Sequence, residues 1–260
     1  MKPLVLPGAQ TFISSSPSFL HSCRLQVSSS SPQHGATVET ASIQPYKPGI
    51  FDNFFLNSFR NKLAHEVGWD SEKPGYDGMI ELAKGLLMKS TNKSDASAAA
   101  VRILKSFFPP LLLELYKAII APIDGGKVAA IMVARVTVLT CQWLMGNCSV
   151  NSVDRPDGSS CESGVLVERC KYLEESKCVG VCINTCKLPT QTFFKDYMGV
   201  PLLMEPNFSD YSCQFKFGIL PPRSPEQDSA LKEPCLEICP IASRRKQISS
   251  NMNLIKCPKA

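Results

Sequence analysis

Three cysteines at four-residue intervals, Cys178, Cys182 and Cys186, stand in the run CVGVCINTCKLPTQTFF, and eleven of the twelve cysteines lie between Cys141 and Cys257. Thiols at this density do one of three kinds of chemistry. They ligate a metal or an iron–sulfur cluster, they pair as disulfides, or they react as thiols. On a straight α-helix, residues i, i+4 and i+8 drift by only about 40° per step, so the three sulfurs would share one stripe. That stripe would be about 12 Å long, whereas a zinc–sulfur bond is about 2.3 Å. One tetrahedral ion cannot collect all three unless a multi-iron cluster spreads the ligands, or Gly180 or Asn184 breaks the helix.

Further sulfur donors follow. Cys213 falls in an alternating segment, and Cys235-x3-Cys239-Pro240 lies about fifty residues beyond the triplet. The ending Cys-Pro loosely resembles a bacterial ferredoxin run, and the Cys-x2-Cys pair of zinc ribbons is absent from the metal-like region. The expected ligand set is Cys178, Cys182, Cys186, Cys213, Cys235 and Cys239, with iron, alone or in an iron–sulfur cluster, as cofactor. Redox-active or disulfide-bonded thiols and zinc or inert thiols stay open as alternatives, and Cys213 suits a core thiol equally well.

Other catalytic groups are sparse. His65 is the one histidine beyond residue 44, and it sits on an amphipathic helix where a surface role is ordinary. Glu174 and Glu175 read as a solvated helix end. There is no phosphate-binding glycine loop, nucleophile elbow or HExxH, so hydrolytic acid–base chemistry is poorly supported. The net charge is +5, too mild and too scattered for nucleic acid; Arg244, Arg245 and Lys246 form the densest basic cluster.

The elements that must position the thiols begin near Tyr46. Residues 1–44 hold ten serines, one acid (Glu39) and two basic residues, Lys2 and Arg24. This composition is that of a disordered chloroplast transit peptide. From there, Phe51, Phe54, Phe55, Phe59 and Leu63 recur at helical spacing. A second helix is expected from Asp77 to about Ser90, a third from Ala96 to Phe108, and a fourth from Leu111 to Ile120. Val128 to Met145 reads as a buried core helix, because Arg135 and Gln142 interrupt an apolar run of marginal length for a membrane span. Asn147 to Ser163 reads as a loop, Val165 to Ser176 as helix, and Pro189 as the start of a short helix ending at Gly199. Tyr211, Cys213, Phe215 and Phe217 alternate with polar residues, which predicts a strand paired with Val200–Met204. The fold class is mainly α (α+β): one helical domain over residues 45–260 with a small C-terminal β-hairpin and a cysteine-rich metal-site region.

The stretches RCKYLEESKCVGVCINTCKLPTQTFFKDYMGVPLLMEPNFSDYSCQFKFGILPP and ALKEPCLEIC resemble the plant plastid β-carotene isomerases, the dwarf-twenty-seven family of strigolactone biosynthesis. The resemblance runs from about Tyr46 to Arg245, and KPGIFDNFFLNSFRNKLAHEVGWDSEKPGYDGMIEL reads as a paralogue of the founding enzyme. It implies a chloroplast protein, associated iron, and interconversion of all-trans and 9-cis β-carotene, with a carotenoid as partner and no assigned iron ligands. Such an enzyme needs a long apolar pocket, to which Phe51, Phe54, Phe55, Phe107, Phe108, Phe193 and Phe194 could contribute walls. The apolar stretch Phe107–Ile123 suits peripheral contact with the plastid membrane. A non-catalytic iron–sulfur electron carrier or a thiol-redox protein of the plastid is the alternative.

Overall fold

A computed structural model describes residues 23–25, 49, 51–90 and 93–232. The chain order is β1 (Cys23–Leu25), α1 (Asp52–Val67), α2 (Gly75–Lys89), α3 (Lys93–Lys105), α4 (Pro110–Leu115), α5 (Lys127–Thr140), α6 (Gln142–Met145), β2 (Cys148–Asp154), β3 (Ser159–Val167), α7 (Lys171–Ser176), α8 (Val179–Val181), α9 (Leu188–Thr192), β4 (Leu202–Pro206), β5 (Cys213–Phe217) and α10 (Ser229–Lys232). The expected helices α1 to α5 are present, but the run expected to continue to Met145 is divided at Cys141 into α5 and α6, and Val136 and Leu139 of α5 are exposed where burial was expected. Gly68 closes α1 in the left-handed conformation, with its N–H bonded to the Ala64 carbonyl, as glycine does at no steric cost. The third helix ends at Lys105, three residues short of the expected Phe108, and Pro110 opens the fourth, where a missing N–H is harmless.

The β structure exceeds the expected hairpin. β4 and β5 pair antiparallel as read, Leu202 opposite Phe217 and Met204 opposite Phe215. β5 buries Cys213, Phe215 and Phe217 and leaves Gln214 and Lys216 half-exposed. The segment Asn147–Ser163, expected as loop, instead supplies β2 and the start of β3. Pro156, Asp157 and Gly158 make the turn between them, with Gly158 at φ 76°. The Asp157 carboxylate accepts hydrogen bonds from the Ser159 N–H and hydroxyl. β3 runs on to Val167, so the helix expected from Val165 begins only at Lys171.

β3 is the centre of a five-stranded antiparallel sheet. It pairs with β2 along one edge and with β1 and then β5 along the other. Gly164, mid-strand, sits opposite Asn151 and Lys216. The Asn151 and Gln214 side-chain amides exchange two hydrogen bonds, at 2.7 and 3.0 Å, from β2 to β5. A Cβ at Gly164 would collide with Asn151 Oδ1 and Val153 Cγ2, so glycine is what lets this bridge between the flanking strands close.

The core joins Met79, Leu82, Leu87, Leu173, Val165, Val167, Val181, Leu202, Met204 and Phe217 into one cluster. α5 lies across β3, and α3 packs along the segment that carries Cys182 and Cys186. Arg135 on α5 pairs with Glu162 of β3 at 3.0 Å. Among the described residues no single helix is long and apolar enough to cross a membrane.

Candidate functional site

A tight turn launches the cysteine helix. Lys177, just after α7, takes the left-handed conformation (φ 49°) with its N–H on the Leu173 carbonyl. Cys178 is extended (φ −141°, ψ 110°) and precedes the first helical residue. Its carbonyl accepts the Cys182 N–H at 3.1 Å. Cys178 therefore stands at the N-terminal edge of the helix that carries Cys182 and Cys186.

Beyond it, α8, a π-helical turn (Cys182–Lys187), α9 and a second π-helical turn (Phe193–Tyr197) follow without a break. The chain forms one helix over residues 179–197, where sequence reading expected an interruption and a fresh start at Pro189. The reason is steric. Pro189 has no N–H to give the Thr185 carbonyl, and its ring would press on that carbonyl in a regular helix. Widening the preceding turn by one residue relieves both problems, and the Leu188 N–H bonds back to Ile183 rather than to Asn184. Asn184 Nδ2 donates to the Gly180 carbonyl at 3.0 Å, and Thr185 Oγ1 to Val181 at 2.7 Å.

Cys182, on the widened turn, has Cys186, Cys213 and Cys170 as electrostatic neighbours. Cys213 on β5 has Cys170 and Cys186, and Cys186 has Cys170 and Cys141. Three of the expected residues, Cys182, Cys186 and Cys213, thus share one neighbourhood. Cys170 at the start of α7 joins them. It stands two four-residue steps before Cys178, outside the Cys-x3-Cys-x3-Cys run that drew attention to the triplet. Cys235 and Cys239 lie outside the described residues. The phenol of Tyr172 hydrogen-bonds Thr185 Oγ1 at 2.8 Å beside these thiols, and Tyr76 donates to the Leu144 carbonyl at 2.6 Å. His65 is exposed, and Glu174 pairs with Arg169 at 2.6 Å, so both take the surface roles expected of them.

Burial sets the state of the thiols. It pushes Cys186 up to about 12, with Cys170 and Cys141 adding to the rise. Burial also raises Cys182 and Cys213 well above the usual thiol range, and the opposing Lys187 ammonium is outweighed. These groups are neutral thiols at physiological pH. Cys148 is likewise pushed up to about 12 by burial, helped by Cys141 and Glu168. A folded state that holds a proton more tightly than the unfolded chain is stabilised below the unfolded pKa. That stabilisation is lost as pH rises through the folded one. The thermal midpoint is therefore expected to fall between about pH 9 and 12. Replacing Cys148 with alanine should flatten part of that slope; an unchanged slope would exclude this thiol as a source.

An iron centre needs three or more donors converging on one point, and thiol donors must lose their protons to bind. Among the described residues no group of three Cys, His, Asp or Glu side chains is placed to hold a metal ion. Of the six expected ligands, Cys182, Cys186 and Cys213 share one neighbourhood, Cys178 stands at the start of the helix that carries the first two, and Cys235 and Cys239 lie outside the described residues.

An aromatic ladder leads from the surface to this neighbourhood. Ring centroids step 5.6 Å from Phe108 to Phe193, 5.4 Å to Phe194, 5.2 Å to Phe217 and 6.4 Å to Phe215. All steps fall within the range of favourable ring contacts. Phe108 is half-exposed, and Phe215 stands two residues from Cys213 on the same strand face. Phe55 and Phe107 belong to a separate group, stacked on Trp143 and Phe59 respectively. Phe51 and Phe54 point into solvent. A cavity of about 400 Å³ opens beside the ladder between Ala121, Pro122, Gly199, Val200, Gly218 and Arg155. Among the described residues, Arg155 Nε and Nη1 are buried there without hydrogen-bond partners.

The profile described as Beta-carotene isomerase D27-like, C-terminal, matches residues 143–226, the stretch from α6 through β5. The chain is 34% identical over 194 residues to the chloroplastic β-carotene isomerase D27 of Medicago truncatula, covering 75% of each chain. It is 31% identical over 210 residues to the protein of the same name from Arabidopsis thaliana, covering 78% of this chain and 76% of that one. No solved structure matches. Identity at this level across three quarters of both lengths shows that this chain belongs to the family of D27-like β-carotene isomerases.

Proposed function

We propose that this protein is a carotenoid cis–trans isomerase of the chloroplast, interconverting all-trans- and 9-cis-β-carotene, with a place in strigolactone or carotenoid synthesis. The observation that carries the reading is the 34% identity over 75% of both chains to a protein named for that activity. The layout supports it. A rigid apolar hydrocarbon needs a dry aromatic wall, and the ladder from Phe108 to Phe215 supplies one that ends beside Cys213.

Rotation about a polyene double bond needs its bond order to drop briefly, and the overall reaction transfers no atom and no net electron. The chain's own share is to bind and orient. Offset and edge-on rings hold the polyene by its faces and restrict which bond can turn. The thiols at the inner end stay protonated, so no buried ion faces the hydrocarbon. Iron enters this reading through the family resemblance alone, and no step is assigned to it.

The full chain is to be incubated with all-trans and, separately, with 9-cis β-carotene in detergent, with isomers resolved by chromatography and iron measured on the same samples. Approach to one isomer mixture from both sides is the expected result. Unaltered isomer ratios in the presence of ferrous iron and a reductant would refute the isomerase reading.

A further inference from the structure

α4 runs on into a π-helical turn (Tyr116–Ile120), and the resulting helix over residues 110–120 is apolar on two faces. Its inner face is built in: Leu113 is buried, Tyr116 donates to the Ala129 carbonyl at 3.4 Å, and Ala121 packs against Gly199. Its outer face carries Leu111 (75% exposed), Leu112, Leu115 and Ile119 (59% exposed), with Phe107, Phe108 and Ile123 at its ends. A surface helix normally turns polar residues outward. Here Glu114 and Lys117 fall on a flank, three residues apart, and the outward stripe itself is hydrocarbon.

Lysines border this face. Lys62 Nζ lies 4.9 Å from the Phe107 ring centre, and Lys105 Nζ lies 4.1 Å from that of Tyr197. Lys117 Nζ donates to the Asp196 carbonyl at 2.7 Å. Among the described residues none of the three pairs with a carboxylate. Long cationic side chains lying along aromatic rings beside an apolar stripe match the layering of a bilayer surface, with hydrocarbon below and anionic headgroups at the rim. A second copy of the same face would bring the lysine borders together and is disfavoured. Eleven helical residues span about 16 Å, against a hydrocarbon core of about 30 Å, so this helix can lie in the interface and cannot cross it.

We propose that residues 107–123 dock this protein on an anionic lipid surface, with the helix over 110–120 lying in the plane of the interface. The proposal stands apart from the isomerase reading and adds to it a place of entry. Phe108, at the edge of the docking face, is also the outer rung of the ladder.

The test is co-sedimentation of the full chain with vesicles of phosphatidylcholine alone or with roughly one-third phosphatidylglycerol. Binding to the anionic vesicles should be at least about tenfold stronger. Leu115→Asp with Ile119→Asp should lower it by about tenfold or more. Lys62→Gln, Lys105→Gln and Lys117→Gln together should reduce it to the phosphatidylcholine level, with an unchanged circular dichroism spectrum. Equal binding by the aspartate variant and the parent would overturn the proposal. So would a concentration-dependent dimer that the aspartate variant abolishes while the parent ignores vesicles, because the occupant would then be a second copy. The aspartate variant should isomerise detergent-solubilised β-carotene as the parent does. A parent that binds vesicles but never isomerises would sink the isomerase reading and leave the docking face standing.

Discussion

Asp228→Asn is expected to destabilise the fold by about 3–5 kcal/mol, the usual cost of stripping one partner from a buried ion pair. Lys187 is 1% exposed, and its ammonium meets both Asp228 carboxylate oxygens at 2.5 and 2.6 Å. Asparagine keeps the shape and can still cap the Ala230 N–H, which Asp228 Oδ1 accepts at 3.1 Å. What it removes is the charge, and Lys187 has no route to water from the middle of the cysteine helix. The converse change, Lys187→Met, should cost less. Asp228 is 11% exposed and sits on a peripheral turn, from which its carboxylate can swing outward. The double variant should recover most of the loss, because an apolar side chain facing an amide leaves no unpaired ion. Urea unfolding of the three variants reads this directly. Against a total stability of about 5–15 kcal/mol the effect is large. A loss below about 1 kcal/mol for Asp228→Asn, or Lys187→Met proving the costlier single change, would mean that the pair is open to solvent.

That pair also marks what the sequence could not disclose. Lys187 reads as one more basic residue at a helix end, and its partner is 41 residues away. Where the signal is local, the chain was legible. The period-two pattern of Tyr211–Phe217 became β5, Gly68 closed α1, and Pro110 opened α4. Asn147–Ser163 misled because Ser149, Ser152, Asp154 and Glu162 make β2 and early β3 look like a polar loop. Their apolar partners are too few to show the alternation. Val165–Val167 is a short apolar run, which fits helix or strand until its neighbours are known. At the site, spacing drew attention to Cys182 and Cys186, and strand alternation to Cys213, and the fold brings these three into one neighbourhood. It missed Cys170, which joins them through tertiary packing.

Cys182→Ala is expected to lower isomerisation by about a hundredfold or more, whereas Cys148→Ala should stay within a few-fold of the parent. Cys182 is buried and Cys148 half-buried, and each change removes one sulfur at a packing cost of about 1–2 kcal/mol, which leaves a folded protein to assay. The difference rests on placement. Cys182 has Cys170, Cys186 and Cys213 around it, and Cys213 stands at the inner end of the ladder. Cys148 neighbours Cys141 and Glu168 instead. Equal losses at Cys148 and Cys182 would mean that the loss follows general packing and not the neighbourhood of Cys182. Activity preserved in both variants would reduce the thiols to core packing and move the chemistry to the ladder and the cavity beside Arg155. Iron measured per chain in each variant separates a lost ligand from a lost wall: a lost ligand lowers iron and rate together, and a lost wall lowers the rate alone.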